Sequence, residues 1–265
     1  MARRFMEYLD GRQIDAAALA AYRDEVAPDL NPNTWRGYVH GLNSFLRYLG
    51  LDLRLDPPRK VRKEADLLRK DEFLRLLEAA EGQRPLLKAK RDRAILLLMG
   101  EAAVRAGEVR SLMQKDLDLE RGTAIVRRPK GRHDRMVFFG DATRMALTDY
   151  LEARGRAKDR GDEERVFLSA WGRGMIGRNT ILAIVHRLSR EAGLERRVHP
   201  QMFRHMRITE LSRQGMNPYQ LQRFAGHEDI ETTMIYVHVF EDDIRGAMRE
   251  HPVIPPAASL ASDDR

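Results

Sequence analysis

Phe203-Arg204-His205, Ala225-Gly226-His227 and Thr232-Thr233-Met234-Ile235-Tyr236 decide how the rest of the chain is read. An arginine, a Gly-His pair and a tyrosine nine residues past that histidine follow in order within 33 residues. Each group suits phosphodiester chemistry. The planar guanidinium of Arg204 matches two phosphate oxygens and stays charged. His227 can donate a hydrogen bond to the same phosphate. Tyr236 can attack phosphorus, and its phenolate is a fair leaving group, so the phosphotyrosine link is reversible. Asn217-Pro218 opens a helix that Gly226 closes, which puts His227 at a helix end.

Two further groups lie upstream. Val104-Arg105-Ala106-Gly107-Glu108-Val109 holds a second arginine, and Pro129-Lys130-Gly131 holds a lysine. Two arginines from separate elements can clamp both non-bridging oxygens. A lysine on a hairpin tip can protonate the departing 5′ oxygen, because its pKa falls near other cations. Taken singly, each has a plainer reading. Arg105 can be a surface ion pair with Glu101 or Glu108, Lys130 an ordinary turn residue, Tyr236 a core aromatic. Leu221 to Val239 also has the look of a helix-turn-helix. The ordered conjunction outweighs these readings.

The patterning predicts a mainly α protein with a small antiparallel β-sheet. Residues 1–55 read as short helices. Phe5, Met6 and Leu9 share one face, Ala17 to Tyr22 begin a second helix, and Asn33-Thr34 caps a third carrying Trp35, Val39, Leu42 and Leu46. Residues 56–65, with Pro57-Pro58 and Arg59-Lys60-Val61-Arg62-Lys63, read as a basic linker. Residues 66–251 form the larger part. Asp71-Glu72 sit in a first helical turn, where acids suit the helix dipole. Ala94 to Met99 is apolar almost all round and predicts a buried central helix. Thr123 to Arg128 and Arg135 to Phe139 predict two strands with Lys130 in the turn between them. Asp141 and Asn179-Thr180 are expected to open two further helices. Residues 252–265 lack a core pattern and read as a disordered tail.

A net charge of +7 and a pI near 9.8 favour a polyanionic partner. The absence of cysteine excludes disulfides and thiolate metal sites. The start, Met1-Ala2-Arg3-Arg4-Phe5-Met6-Glu7, has no apolar signal core, and no run approaches the roughly 18 apolar residues of a membrane span. A bacterial or archaeal cytoplasm, in association with the nucleoid, is the expected location.

These motifs resemble those of the tyrosine recombinases, the phage-integrase family. Arg105-Ala106-Gly107-Glu108-Val109 is similar to the family's first box, which makes Arg105 the first catalytic arginine and Glu108 its support. Lys130-Gly131 resembles the hairpin lysine. Phe203-Arg204-His205 resembles the second box, with Arg204 the second catalytic arginine and His205 a buried structural histidine. Ala225-Gly226-His227 matches the third box, and Tyr236 stands at the nucleophile's offset. Residues 13–50 are similar to the family's core-binding domain. The resemblance implies a two-domain DNA clamp, with a helical N-terminal core-binding domain and an α+β catalytic domain.

One position departs from the family pattern. Gln201 stands three residues before Arg204, where a histidine is usual, and His199 is displaced from that place by two. An amide cannot accept the tyrosine's proton at neutral pH. The resemblance implies site-specific strand exchange on double-stranded DNA through a 3′-phosphotyrosine, with no metal, no ATP and no other cofactor. It implies four protomers on two synapsed sites, joined through a C-terminal helix at Glu241 to His251, with accessory proteins and no membrane partner. Two rivals share the motifs: a type IB topoisomerase that relaxes supercoils alone, and a non-catalytic DNA-binding regulator or decayed recombinase.

Overall fold

The structure, a computed structural model, describes residues 2–61, 66–127, 134–156, 164–169, 174–177 and 179–237. Lys130 with its turn, the helix expected at Glu241 to His251, and the expected tail all lie outside the described residues. The chain divides into two units, Met1–Glu64 and Ala65–Arg265.

Three helices build the first unit: α1 (Ala2–Leu9), α2 (Ala16–Val26) and α3 (Pro32–Tyr48). Their apolar faces meet in a core of Phe5, Leu9, Leu19, Tyr22, Val39, Leu42 and Leu46. The Tyr22 ring takes Phe5 edge-on at 5.0 Å. Asp15 caps α2 by accepting from the Ala18 N–H at 2.7 Å, a bond of about 1 kcal/mol. The cap of α3 falls two residues before the expected one. Asn31 accepts from the Asn33 N–H, and Pro32 supplies a first helical residue with no N–H to satisfy. Asn33 is thereby free for another task, exchanging two hydrogen bonds with the Val61 backbone at 2.8 and 3.0 Å. Residues 56–61, the described part of the basic stretch, run along α3: Arg36 donates to the Pro58 carbonyl, and Asn43 pairs with Leu55 just before it.

The second unit is arranged around α5 (Leu86–Glu101), which follows α4 (Lys70–Glu81). Ala94 to Gly100 is buried throughout, so every face of this part of α5 packs on protein. At Gly100 an added Cβ would lie 2.6 Å from the Phe73 ring, so a side chain there would have to displace that ring. Glu72, in the first turn of α4, accepts from the Arg69 N–H and is buried against the Arg196 guanidinium. That hydrogen bond from Arg196 holds its carboxyl below the ordinary range against the opposing effect of burial. Charge–dipole complementarity is thus only part of its role.

After α6 (Ala106–Ser111) come β1 (Leu117–Asp118), β2 (Thr123–Val126) and β3 (Arg135–Phe138), an antiparallel sheet in the order β1-β2-β3. Ala124 pairs with Val137 and Val126 with Arg135. Ala124, Val126, Val137 and Arg135 point inward, while Ile125, Met136 and Phe138 point out. α7 (Asp141–Gly155) starts at Gly140, whose N–H bonds to Glu101. Asp141 lies inside the first turn and pairs with Arg144, so it is not the cap that its position promised. α8 (Thr180–Glu191), α9 (Pro200–Arg213), α10 (Pro218–Ala225) and α11 (Ile230–Met234) complete the unit. Asn217 caps α10 through the Gln220 N–H, and Gly226 ends it at φ +63°, a conformation that favours glycine. Among the described residues, no helix is long and apolar enough to cross a membrane.

Candidate active site

Four separate segments deliver the site: the α5–α6 junction, β3, α9, and the stretch from the end of α10 to just past α11. The junction turns sharply at Ala103, which is fully buried at φ +50°. Alanine rarely takes this conformation, at a cost of about 1–3 kcal/mol. The turn presents the Ala103 carbonyl to Arg204 on the second turn of α9. Arg204 is 5% exposed and donates to the Ala103 and Ala225 carbonyls at 2.6 and 2.5 Å. Burial, with repulsion from Arg105 and Arg135, pulls its guanidinium down to about 9, which still leaves it charged at neutral pH. Two of its five N–H groups hold these carbonyls, and the fork retains donors for an oxyanion.

Arg105 is the N-cap of α6. Glu108, three residues on, accepts from the Arg105 N–H at 2.8 Å and meets its guanidinium at 3.2 Å. The ion pair with Glu108, one of the plainer readings of Arg105, is therefore present. Yet the Arg105 side chain remains 43% exposed, so the pair orients the guanidinium without covering it. Glu108 also accepts from Arg135 at 2.8 Å, and Arg135 donates in turn to the Phe224 carbonyl at 2.9 Å. Burial alone would push the Glu108 carboxyl up; the Arg135 guanidinium and the Arg105 N–H outweigh it and hold the carboxyl below its ordinary value.

His227 follows the Gly226 cap, and its Nδ1 lies 2.8 Å from the buried Thr233 hydroxyl. Burial first, then Arg204 and Arg105, lower its pKa to about 4, so the free site holds a neutral imidazole. When the Thr233 hydroxyl donates to Nδ1, the ring proton sits on Nε2 as a donor. Tyr236, 5% exposed, packs in a small cluster with Ala103, Ile208, Leu211, Leu221 and Ala225. Its ring stacks on His227 at 6.2 Å, and its carbonyl accepts from Ser212 at 2.7 Å. Its hydroxyl contacts Nδ1 of His205. Burial raises the phenol's pKa, and Arg204 and Arg105 pull against that rise.

Arg105, Glu108, Arg127 and His227 line a cleft of about 860 Å³; Arg204 and Tyr236 are not among its lining residues, and Tyr236 stacks on His227. Arg127 is held at the rim by a two-point pair with the buried Asp116, at 2.6 and 2.7 Å. Two of the residues weighed from sequence stand apart. His199 is the N-cap of α9 and packs edge-on against His186 of α8 at 5.5 Å. Gln201 is exposed in the first turn of α9. His205 was expected to be structural, but it touches the tyrosine hydroxyl. Arg135 was not anticipated, although an arginine at an inward position of a short strand is a signal of a buried ion pair. Among the described residues, no group of three or more histidines and carboxylates is placed to hold a metal ion.

Comparison with known proteins agrees with this architecture. Residues 66–242 match the phage integrase family. Tyrosine recombinase XerC of Oceanobacillus iheyensis is 34% identical over 221 residues, 82% of this chain and 68% of that protein. XerC of Lactobacillus leichmannii is 32% identical over 250 residues, 90% of this chain and 83% of that protein. XerA of Saccharolobus solfataricus is 31% identical, and the chain spans only 65% of its length. The crystal structure of XerA recombinase superposes with a TM-score of 0.60 at 25% identity, over 96% of this chain and 90% of that one. XerH bound to a palindromic difH substrate after cleavage has a TM-score of 0.74 at 20% identity, over 94% and 76%, and shares the fold. The chain belongs to the phage integrase family, the tyrosine-type site-specific recombinases.

Proposed function

We propose that this chain cuts and rejoins DNA at specific sites through a 3′-phosphotyrosine on Tyr236. The observation that carries the reading is one cleft lined by Arg105 and His227, with Arg204 buried on the Ala103 and Ala225 carbonyls and Tyr236 stacked on His227. Arg105 and Arg204 bind the two non-bridging oxygens and stabilise the charge that develops on them. His227 donates a further hydrogen bond, and the phosphate's negative charge works against the depression of its pKa in the free site. Tyr236 swings its hydroxyl to phosphorus, the P–O5′ bond breaks, and Lys130 protonates the departing oxygen. A 5′ hydroxyl from a partner duplex then attacks the phosphotyrosine. Bond energy is conserved over the cycle, so the mechanism calls on no ATP, and the two arginines and Lys130 supply the charge stabilisation and acid that a metal would otherwise provide.

In this reading Met1–Glu64 is the core-binding domain and Ala65 onward the catalytic domain, the two gripping one duplex. Four protomers on two synapsed sites, linked through residues 241–251, are the working assembly, in the bacterial or archaeal nucleoid. The capture of XerH on its difH substrate and of the Tn1549 integrase on a circular intermediate DNA supports duplex DNA as the partner. The net charge of +7 supports it independently. The test is strand exchange between two differently labelled duplexes carrying the cognate site. Exchange products are expected. Relaxation of a supercoiled plasmid without exchange would make the protein a topoisomerase, and binding without cleavage would make it a regulator.

A further inference from the structure

Tyr236 must lose a proton to attack phosphorus, and Gln201 cannot take it. The tyrosine nevertheless has an imidazole on its hydroxyl. His205, the residue after Arg204, sets Nδ1 in hydrogen-bond contact with Tyr236 Oη. The two rings stack with centroids 5.6 Å apart and planes 29° from parallel. Tyr236 is 5% exposed and His205 is half-buried, so the imidazole is the base nearest the phenol. We propose that His205 is the proton acceptor for Tyr236, taking the role that Gln201 cannot fill. The assignment rests on Tyr236 being the nucleophile.

The proton balance is direct. The Tyr236 O–H bond breaks and its proton goes to Nδ1 of His205. The phenolic oxygen forms its bond to phosphorus, the P–O5′ bond breaks, and the departing oxygen receives its proton from the acid on the opposite side. On rejoining, the imidazolium returns the proton to the phenol. The ionisable groups facing His205 are Arg204 from its own helix, Tyr236 from beyond α11, and His227 from the loop after α10. Burial and the Arg204 charge hold the His205 imidazole below its ordinary value, so at neutral pH it is the free base. Arg204 and Arg105 favour the phenolate, and an incoming phosphate favours the imidazolium. The phosphate thus offsets the Arg204 charge that opposes the imidazolium.

The experiment is single-turnover cleavage of a nicked suicide substrate at saturating protein, from about pH 6 to pH 9. The wild-type rate is expected to level off above about pH 7, where the free imidazole predominates. His205→Asn keeps a hydrogen-bonding group near the Nδ1 position but no base. Its rate at pH 7 should fall at least about tenfold and then climb about tenfold per pH unit. A fluorinated tyrosine at position 236, whose phenol ionises more readily, should restore much of the loss. Melting curves and DNA binding establish that the variant folds; His205→Gln, with the same expected profile, stands in if His205→Asn does not. An unchanged rate and profile would overturn the assignment, and a faster variant would make His205 a latch that restrains the tyrosine. A loss equal at every pH and unrelieved by fluorination would reduce it to packing. A wild-type protein that forms no covalent adduct would instead refute the nucleophile reading, and the assignment with it.

Discussion

Replacing Arg135 with methionine removes a cation that ties the first arginine's support to the end of α10. Arg135 and Glu108 are 7% and 11% exposed, and their 2.8 Å bond is shielded from water. Methionine fills similar space, so a cavity contributes little. Losing one partner of a buried pair costs about 3–5 kcal/mol. Glu108 retains the Arg105 N–H and guanidinium, which places the loss near the lower end, about 3 kcal/mol. In a unit of this size that lowers the melting midpoint by about 6–12 °C. The pH dependence has a definite sign. In the wild type, Glu108 has a lowered pKa, so its contribution is present above the unfolded value and is lost as pH falls through the folded one. In the variant, burial dominates and the carboxyl is pushed up, which penalises the charged form. The gap in stability is therefore widest near neutrality and shrinks as pH falls through the glutamate range, about 4.3. Scanning calorimetry of both proteins from about pH 8 to pH 4 follows it. A midpoint change under about 2 °C, or a gap independent of pH, would refute the buried pair.

Other expectations concern the chemistry itself. Arg105→Ala and Arg204→Ala should each slow single-turnover cleavage by about 10²-fold or more, whereas an arginine serving only a surface ion pair would leave the rate unchanged. Only Arg204→Ala should also lower the melting midpoint strongly, because it alone of the two holds the Ala103 and Ala225 carbonyls. Lys130→Ala should be slow on normal DNA and largely rescued on a 5′-bridging phosphorothiolate, whose leaving group hardly needs a proton; equal defects on both substrates would leave Lys130 a phosphate contact. Gln201→His should keep cleavage or raise it modestly, and His199→Ala should change little, because His199 packs on His186 and not on the tyrosine. A Gln201→His variant that binds DNA but no longer cleaves would show that the site depends on the amide.

Signals confined to a few neighbouring residues were legible in the sequence. The apolar run from Ala94 to Met99 announced the buried helix, and Asn217-Pro218 with Gly226 announced both ends of α10. The choice between Asn31 and Asn33 as the cap of α3 was not legible, because both have the right side chain. The difference lies in Val61, 28 residues away, which claims Asn33. β1 is two residues long, below what alternation can reveal, and exists because β2 offers an edge. In the site, order and spacing identified Arg105, Arg204, His227 and Tyr236 as a set. They could not show that Arg135 would reach Glu108 from another strand, or that Ala103 would bend to offer its carbonyl. The contact between His205 and Tyr236 joins residues 31 apart and depends on how α9 and α11 each pack on α10.

Peptide mapping of the trapped adduct shows whether Tyr236 becomes covalently joined to DNA. The protein is incubated with a nicked cognate site, the complex is digested with protease and nuclease, and the modified peptide is sequenced by mass spectrometry. A nucleotide is expected on the phenolic oxygen of Tyr236, attached through a 3′ phosphate, with no adduct from Tyr236→Phe under the same conditions. A nucleotide on any other residue, or an adduct that persists in Tyr236→Phe, would contradict that assignment.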